Sequence, residues 1–470
     1  MKMGWKSSLK VVSLGWLAVT VTALPESTGS INAADFASKL IITRDVCVIG
    51  GGSSGIYTAI RLRDESKSVV VVESSNRLGG HTETYTDPAT QGNVDIGVIV
   101  WHDLDLVKDY FARFDIPLTK AAFPPLESKY IDYRTGKAVD GYTPSNATDA
   151  LGVYGQQLAK YQYVEAGFDL PDPVPAELLL PFGDFVKKYA LDGLVNLIFN
   201  YGQGLGDLLR IPTLYVFKNF GLDVLRNLQV GFLTTERHRN SELYERAGAE
   251  LGADALLSTR VLWIDRNGPK YTKILVKTPS GIKLIRAKKL VITVPPKPEN
   301  LRSFNLDQAE LSLFKQFGNT GYYTGVLRNT GIPDNVAVNN VASDTPYNLP
   351  PLPGVYSLTP TGIPGLFNVK YGSTGTLPDA QVKADIVASV ERLASAGSIP
   401  TATAPEFAIF KSHAPFELTV SADAIKNGFY RKLYALQGRK RTYWNGAAFH
   451  THDSSLLWQF TEALLPRILE

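Results

Sequence analysis

The feature that most constrains this 470-residue chain is a glycine-rich turn that begins at residue 50. Val46–Ile49 is a continuous apolar run, typical of a parallel strand buried on both faces. The pattern G-x-G-x-x-G follows at once as Gly50, Gly52 and Gly55. The first glycine permits a tight turn, the second lets backbone amides approach a pyrophosphate, and the third lets a helix pack closely. Ser54 would lie at the start of that helix, where phosphate binds favourably.

A second strand and an acidic residue complete this pattern. Val69–Val72 is again continuously apolar, and Glu73 ends it about 20 residues beyond the glycines. A carboxylate there can accept hydrogen bonds from both hydroxyls of an adenosine ribose and argues against a 2′-phosphate. A near-match at residues 202–206 follows no strand and is interpreted as a loop between helices. The stretch therefore predicts a site for an ADP-containing dinucleotide.

The residues beyond Glu73 narrow the choice of dinucleotide. Arg77, Gly79 and Gly80 complete E-x-x-x-R-x-G-G, which resembles the second fingerprint of the flavin-containing amine oxidase superfamily. In that superfamily the arginine and glycines fold under the pyrophosphate of FAD, and an arginine fork also suits phosphate on physical grounds. His81 stands where the superfamily more often carries arginine, and by resemblance it belongs to the cofactor-binding residues. The resemblance implies that FAD is the cofactor.

Later stretches resemble the superfamily in the same order along the chain. Gly97 lies in a D-x-G segment that would pass beside the isoalloxazine ring, and Val261 would present its backbone to the adenine. Asn445 and Gly446 resemble the A-G-E-A-like turn that precedes the final helix. Asp453 is predicted to cap that helix, and by resemblance it belongs to the cofactor site. No catalytic residue and no metal ligand are assigned.

Aromatic and histidine side chains near these motifs leave alternatives open. Trp101 and His102 could face the flavin, but core packing is the alternative for Trp101. For His102 a helix cap or a surface position is favoured, because no adjacent residue offers a proton-transfer partner. His450 and His452 lie close to the expected ring position, where they could carry covalent flavin or donate to a ring carbonyl. A supporting or solvent-facing role is favoured for both.

One departure from the superfamily concerns a lysine. Amine oxidases commonly carry a lysine, which holds a water near the flavin, on the strand that corresponds to residues 322–327. This stretch contains none, and Lys315 precedes it on a predicted helix. The resemblance to amine oxidases therefore does not imply simple amine oxidation with reoxidation by dioxygen.

The first 23 residues predict a secretory signal peptide. Lys2, Lys6 and Lys10 precede an apolar run too short to span a membrane, and small residues follow it. Its removal takes three lysines and no acid, which leaves 45 basic and 45 acidic residues and no indication of nucleic-acid binding. The alternative is an uncleaved membrane anchor. Cys47, the only cysteine, is expected in the core, and Asn146 begins a glycosylation sequon.

The order of elements predicts an α/β protein with two interwoven domains. Residues 41–103, 231–296 and 416–470 are expected to form a Rossmann-type FAD-binding domain of the glutathione-reductase-like kind. Residues 104–230 and 297–415 are expected to form an α+β substrate or cap domain, helical in its first part and antiparallel in its second. The aromatic helices of the first part predict an apolar cover over a pocket, although ordinary core packing would show the same pattern.

The G-G-H-T sequence at residues 79–82 and the N-G-A-A turn at residues 445–448 resemble the β-cyclopiazonate dehydrogenase family most. The resemblance implies a secreted or luminal FAD-dependent oxidoreductase of natural-product biosynthesis. It would take a hydride from a small, apolar or aromatic substrate, with or without oxidative cyclisation, since members of the family perform both kinds of reaction. An amine or L-amino-acid oxidase that releases hydrogen peroxide is one alternative. A non-catalytic flavin-fold binding protein is the other.

Overall fold

The computed structural model of the protein describes residues 32–401 and 404–470, so the predicted signal peptide lies outside the described residues. The α-helices are α1 Ser53–Asp64, α2 Asp105–Ala112, α3 Thr148–Leu158, α4 Ala176–Leu179, α5 Phe182–Tyr189, α6 Val195–Tyr201, α7 Thr213–Asn219, α8 Leu222–Val230, α9 Glu242–Leu251, α10 Gln308–Phe314, α11 Asp379–Ser395, α12 Ala422–Lys426, α13 Phe429–Tyr434 and α14 Ser454–Leu469. The first strands are β1 Ile41–Ile49, β2 Val69–Val72, β3 Thr84–Thr86, β4 Asn93–Asp95, β5 Leu118–Lys120, β6 Glu127–Asp132, β7 Lys137–Ala138, β8 Leu233–Thr235, β9 Ala255–Leu256 and β10 Arg260–Asp265. The remaining strands are β11 Thr272–Thr278, β12 Gly281–Ile292, β13 Gly318–Arg328, β14 Val336–Asn340, β15 Gly354–Pro360, β16 Phe367–Ser373, β17 Glu406–Ser412, β18 Phe416–Thr419 and β19 Thr442–Trp444.

The first sheet has the strand order β10-β11-β12-β1-β2-β9, with β19 paired to β12. Strand β1 lies parallel to β2 on one side and to β12 on the other. Because the chain leaves β1 in one direction and returns on its far side, the strand order reverses there, as at the binding crevice of a doubly wound sheet. The predicted α/β class with a Rossmann-type domain is confirmed.

Strand β12 differs from the prediction. The sequence indicated two strands, 283–286 and 289–294, whereas the structure has one continuous strand of 12 residues. Its first half pairs antiparallel with β11, and residues 284–292 pair parallel with β1. The prediction left out residues 287 and 288, but the chain stays extended there, since Lys288 reaches solvent and pairs with Asp45.

The second sheet contains β17-β13-β16-β15-β14-β6-β7, with β18 paired to β13. Its central pairs are antiparallel as predicted, while β14 and β6 run parallel. Helix α11 packs its apolar side on one face of this sheet. Residues 416–419 were assigned to the FAD-binding segments, but they form β18 and pair with this second sheet.

The helices between residues 148 and 230 contribute to the largest hydrophobic cluster of the protein. The single helix expected over residues 185–199 is two helices, α5 and α6, because Ala190 adopts a left-handed backbone at φ 53° and ends the first. The glycines at 202–206 form a loop before α7, as expected. Within the described ranges, no helix is both long and apolar enough to cross a membrane.

Candidate functional site

A cavity of about 740 Å³ opens at the carboxyl edge of the first sheet. Its wall is built from residues that follow the ends of parallel strands: Gly50 and Gly52 after β1, Glu73 after β2, Thr293 after β12, and Asn445 and Gly446 after β19. Ligands of open α/β sheets bind at this edge, beside the strand where the order reverses. The volume lies in the range of cofactor and small-molecule sites.

Two glycines of the first motif differ in whether the fold itself excludes a side chain at their position. A Cβ on Gly55 would lie 1.9 Å from the carbonyl oxygen of Gly50, so a side chain there is incompatible with the contact between α1 and β1. A Cβ on Gly52 would meet only the Cα of Gly80, at 3.8 Å, which is an ordinary contact. The folded chain alone therefore requires glycine at 55 but not at 52, and Gly52 faces the cavity.

The start of helix α1 is open to an anion. Gly52 is its N-cap and supplies no side-chain hydrogen bond, so the first amides of the helix, including that of Ser54, point towards the cavity edge. The amides and the helix dipole together favour a phosphate there. Glu73 lines the same cavity, and its carboxylate accepts hydrogen bonds from the amides of Gly51 at 2.6 Å and Ser75 at 2.7 Å.

In this structure the guanidinium of Arg77 contacts the residues that directly follow it in the chain. Its guanidinium donates to the carbonyl oxygens of Leu78, Gly80 and Thr82, and it forms an ion pair with Glu83. All of these acceptors lie in the loop of residues 78–83, directly after the arginine, and they occupy both terminal nitrogens of the guanidinium. Arg77 thus holds this loop in shape, and the loop, not the arginine, lines the cavity.

The remaining predicted site residues are brought to the cavity to different extents. Val261 lines it beside a bulge in β10, and Gly446 lines it with a left-handed backbone at φ 103°. Asn445 also lines it, but its amide donates to Thr58 of α1 and Thr461 of α14 and so ties two helices together. Gly97 packs against the backbone of His81, since a Cβ would lie 1.7 Å from that carbonyl oxygen.

Asp453 is the N-cap of α14, as predicted, and accepts a hydrogen bond from the amide of Leu456. The surface position favoured for His102 was wrong. His102 is buried, and its Nε2 lies 3.1 Å from the Asp453 carboxylate. Burial alone would lower the pKa of His102, but the charge and hydrogen bond of Asp453, together with the charges of Asp223 and Glu165, outweigh it and the net shift is upward. The partner lies some 350 residues away in sequence, so the local search could not find it. Trp101 is core, stacked on Trp458.

Three histidines from distant segments form one face of the site, which we call the histidine face: His81, His413 and His452. The rings of His81 and His413 stack with centroids 4.3 Å apart, and His452 lies 6.3 Å from His81. Phe416 packs on His452 at 3.9 Å. His81 is solvent-exposed, and both His81 and His452 line the cavity.

Electrostatics keep the histidine face uncharged at neutral pH. Burial and the nearby Arg77 lower the pKa of His81 to about 4, and burial with His81 lowers that of His452 to about 3. Burial and the neighbouring His81 hold the pKa of His413 well below its usual value. The sequence analysis missed His413, which follows β17 in a segment that carries no motif. His450 is buried against Phe460.

A lysine lies on β16, which pairs with β13, the strand whose residues 322–327 contain no lysine. Lys370 on β16 is the register partner of Thr324 on β13. Its neighbours Val369 and Tyr371 pack towards α11, so alternation directs Lys370 to the opposite face. Burial lowers the pKa of its amine. The signal was present in the sequence, because Lys370 is out of phase with the apolar residues of a predicted strand.

Comparisons with known proteins agree with this arrangement. A family model described as an NAD(P)-binding Rossmann-like domain matches residues 48–114. The chain is 44% identical to FAD-dependent oxidoreductase oblC of Cochliobolus heterostrophus, over 98% of this chain and 99% of that protein. It is 38% identical to FAD-dependent oxidoreductase pigF of Monascus ruber, over 93% and 94%. It is 35% identical to beta-cyclopiazonate dehydrogenase of Aspergillus oryzae, over 91% and 93%.

The stretch from Gly50 to Glu73, which we call the glycine cradle, and these relatives together define the class of protein. The chain is an FAD-dependent oxidoreductase. Within that class, it belongs to the β-cyclopiazonate dehydrogenase family. Its fold is shared with a fatty acid isomerase from P. acnes, with a TM-score of 0.73 at 18% identity over 91% of this chain and 99% of that one. Cyclohexylamine oxidase from Brevibacterium oxydans shows the same fold, with a TM-score of 0.62 at 17% identity over 91% and 100%. The membership excludes the non-catalytic alternative.

The residues present suit FAD. The open N-terminus of α1 suits a pyrophosphate, the space above Gly52 admits its close approach, and Glu73 stands at the ribose end. Gly446 and the N-terminus of α14 lie across the cavity, where Ser454 and Leu457 also line it. In the described parts of the chain, no group of three or more acidic, histidine or cysteine side chains could hold a metal ion.

Proposed function

We propose that the protein oxidises a small apolar or aromatic natural product by hydride removal, and that an internal nucleophile of the substrate can then close a ring. The observation that carries this proposal is the histidine face, whose stacked rings are uncharged at neutral pH. Tyr322 and Phe416 continue it with ring centroids 5.1 Å apart. A flat, neutral, aromatic wall favours a flat or apolar substrate through stacking and burial.

Each part of the site has a separate task in this proposal. FAD, when bound, supplies the two-electron oxidation as a hydride acceptor. The α1 amides and Glu73 anchor the cofactor at its phosphate and ribose ends. The histidine face orients the substrate, and Phe416 and Leu418 help to exclude water from it. Orientation alone can contribute several kcal/mol to lowering a reaction barrier, on the order of 7 in favourable cases.

Oxidation of an amine or an amino acid is the second candidate function. The fold shared with cyclohexylamine oxidase favours it, although fold alone does not decide chemistry. The strand that corresponds to the lysine-bearing strand of amine oxidases counts against it, because residues 322–327 of β13 contain no lysine. We therefore rank this candidate below natural-product oxidation.

Anaerobic mixing of the yellow protein with candidate substrates separates the two. We expect β-cyclopiazonate or related aromatic natural products to bleach the flavin absorbance. Putrescine, cyclohexylamine and L-amino acids should leave the absorbance unchanged. Rapid bleaching by the amines, with hydrogen peroxide released in air, would favour the second candidate and contradict the first.

We also propose that the protein enters the secretory pathway and carries a glycan on Asn146. Support comes from the predicted signal peptide and from the exposure of Asn146 in the loop before α3. Its side-chain oxygen accepts hydrogen bonds from Thr148, which leaves the amide nitrogen outward. N-terminal sequencing of the mature protein and its mobility after glycosidase treatment test both points. An intact Met1 and unchanged mobility would contradict them.

A further inference from the structure

A buried carboxylate lies directly behind the histidine face. Glu417 of β18 is only 5% exposed, and its Oε2 has no hydrogen-bond partner among the described residues. The Nε2 of His452 lies 3.9 Å from this oxygen and is likewise buried and without a partner in the described part of the protein. A buried polar atom without a partner is costly, and two that face one another across a short gap are unusual.

The two groups connect the cavity to the protein interior. His452 lines the cavity, and of its two ring nitrogens Nε2 is the one turned to Glu417, which leaves Nδ1 for the cavity side. The other oxygen of Glu417 accepts a hydrogen bond from Asn219 of α7 at 3.2 Å. A shift of about 1 Å would bring Nε2 and Oε2 within hydrogen-bond distance, and such contacts often tighten only in the loaded enzyme.

We propose that His452 and Glu417 form a proton-transfer pair for the substrate in the cavity. This inference rests on the proposed function and assigns the acid–base step that the function lacks. Nδ1 of His452 takes a proton from an O–H or N–H of the substrate, while Nε2 passes its own proton to the Glu417 carboxylate. His452 touches the reacting group, and Glu417 acts through it as a positioning residue.

The atoms and electrons balance in this step. The substrate gives up one hydrogen as a proton to Nδ1, and FAD, when bound, would accept the other as a hydride with its two electrons. A new double bond to carbon forms in the substrate. The imidazole ends neutral but with its proton on the other nitrogen, and the carboxylate becomes a carboxylic acid. The protonation state of Glu417 thus decides which tautomer His452 presents to the cavity.

The surroundings of Glu417 suit this exchange. Burial raises the pKa of Glu417 to about 7, although Asn219 and Lys218 oppose that rise. The titratable groups that face it are Lys218 and Tyr215 of α7, Tyr430 of α13 and His452, while His81 and His413 face His452. Burial also lowers the pKa of Lys218 to about 7, although Glu165 and Glu417 oppose that shift.

The test uses the FAD-loaded protein and two isosteric variants. Glu417→Gln removes the proton acceptor and keeps the shape. Glu165→Gln is the matched control, because Glu165 is another carboxylate beside Lys218 and accepts a backbone bond from Leu222 without facing His452. Nitrogen-15 spectra of the histidines report the tautomer, and infrared difference spectra report the protonated carboxylic acid, both without turnover.

In the wild type and in Glu165→Gln, we expect one histidine to exchange tautomers with a midpoint near pH 7, together with an infrared carboxylic-acid band. In Glu417→Gln both signals should vanish. With a bleaching substrate, flavin reduction should be at least tenfold slower in Glu417→Gln and should lose its pH dependence near 7.

Two outcomes would overturn the pairing: a tautomer exchange that persists in Glu417→Gln, or flavin reduction with an unchanged pH profile. A protein that shows the coupled exchange but is bleached by no natural product would count against the proposed function instead. The two failures are therefore distinguishable.

Discussion

The glycine cradle and the histidine face line the same cavity but are built in opposite ways. The cradle, from Gly50 to Glu73, is one continuous stretch whose spacing carries its chemistry. The histidine face brings together side chains at positions 81, 413 and 452, each without a motif of its own. The cradle is therefore local in sequence, whereas the histidine face is assembled by the fold.

The largest effect is expected from Gly55→Val. The added side chain would collide with the Gly50 carbonyl, so we expect a loss of about 4 kcal/mol or more in the free energy of unfolding, or no soluble protein. Denaturant titration measures it. Gly152→Val is the control, because Gly152 is exposed on α3 with nothing within 4 Å of a Cβ. Wild-type stability in Gly55→Val would contradict the requirement for glycine at position 55.

Glu73→Ala should weaken FAD without unfolding the chain. Hydrogen bonds to a charged group contribute about 1.5–3 kcal/mol, so we expect the dissociation constant of FAD to rise by roughly 10–100-fold. Fluorescence titration of the flavin-free protein measures the constant. Because Glu73 also accepts the amide of Gly51, Glu73→Gln should retain part of the affinity. Equal affinity in all three proteins would remove Glu73 from the cofactor site.

Acid should destabilise the protein through its buried histidines. The pKa values of His81, His413, His450 and His452 are lowered in the folded state, so below about pH 6.5 the unfolded chain binds protons that the folded chain does not. Stability should fall from pH 6.5 towards 4, by up to about 1.4 kcal/mol per pH unit for each buried histidine that stays neutral, and by less for His81, whose exposed ring is screened by solvent. The raised pKa of His102 acts in the opposite direction and reduces the net loss.

Unfolding midpoints at several pH values check this dependence. His413→Phe should flatten the slope by about one proton, whereas His238→Asn at an exposed position should not change it. A slope that His413→Phe leaves unchanged would show that the histidine face does not stay neutral.

The smallest effect on stability is expected from His81→Phe. Phenylalanine retains the stacking on His413, so we expect a change of at most about 1 kcal/mol in the free energy of unfolding and no loss of flavin. Denaturant titration and the visible spectrum measure both. Loss of flavin in this variant would show that His81 contributes to FAD binding, as the glycine cradle does.

The same contrast explains what the sequence could predict. The cradle, the final helix with its Asp453 cap, and strands β13 and β16 follow from local patterns, and all of them are present in the structure. The pairing of His102 with Asp453 and the stacking of His81 on His413 depend on contacts across more than 300 residues, which no window of sequence reports. The contacts of Arg77 with carbonyl oxygens were also not predictable, because a fork for phosphate and a fork for carbonyl oxygens look alike in sequence.

The most direct test of the central claim is the visible spectrum of purified Gly52→Val, recorded with its thermal unfolding curve. A Cβ at this position would make only an ordinary contact with Gly80, so the folded chain does not itself require glycine there. We predict a colourless protein that unfolds cooperatively, as the flavin-free wild type does. A yellow Gly52→Val protein with a wild-type flavin content would contradict the assignment of the cradle to FAD.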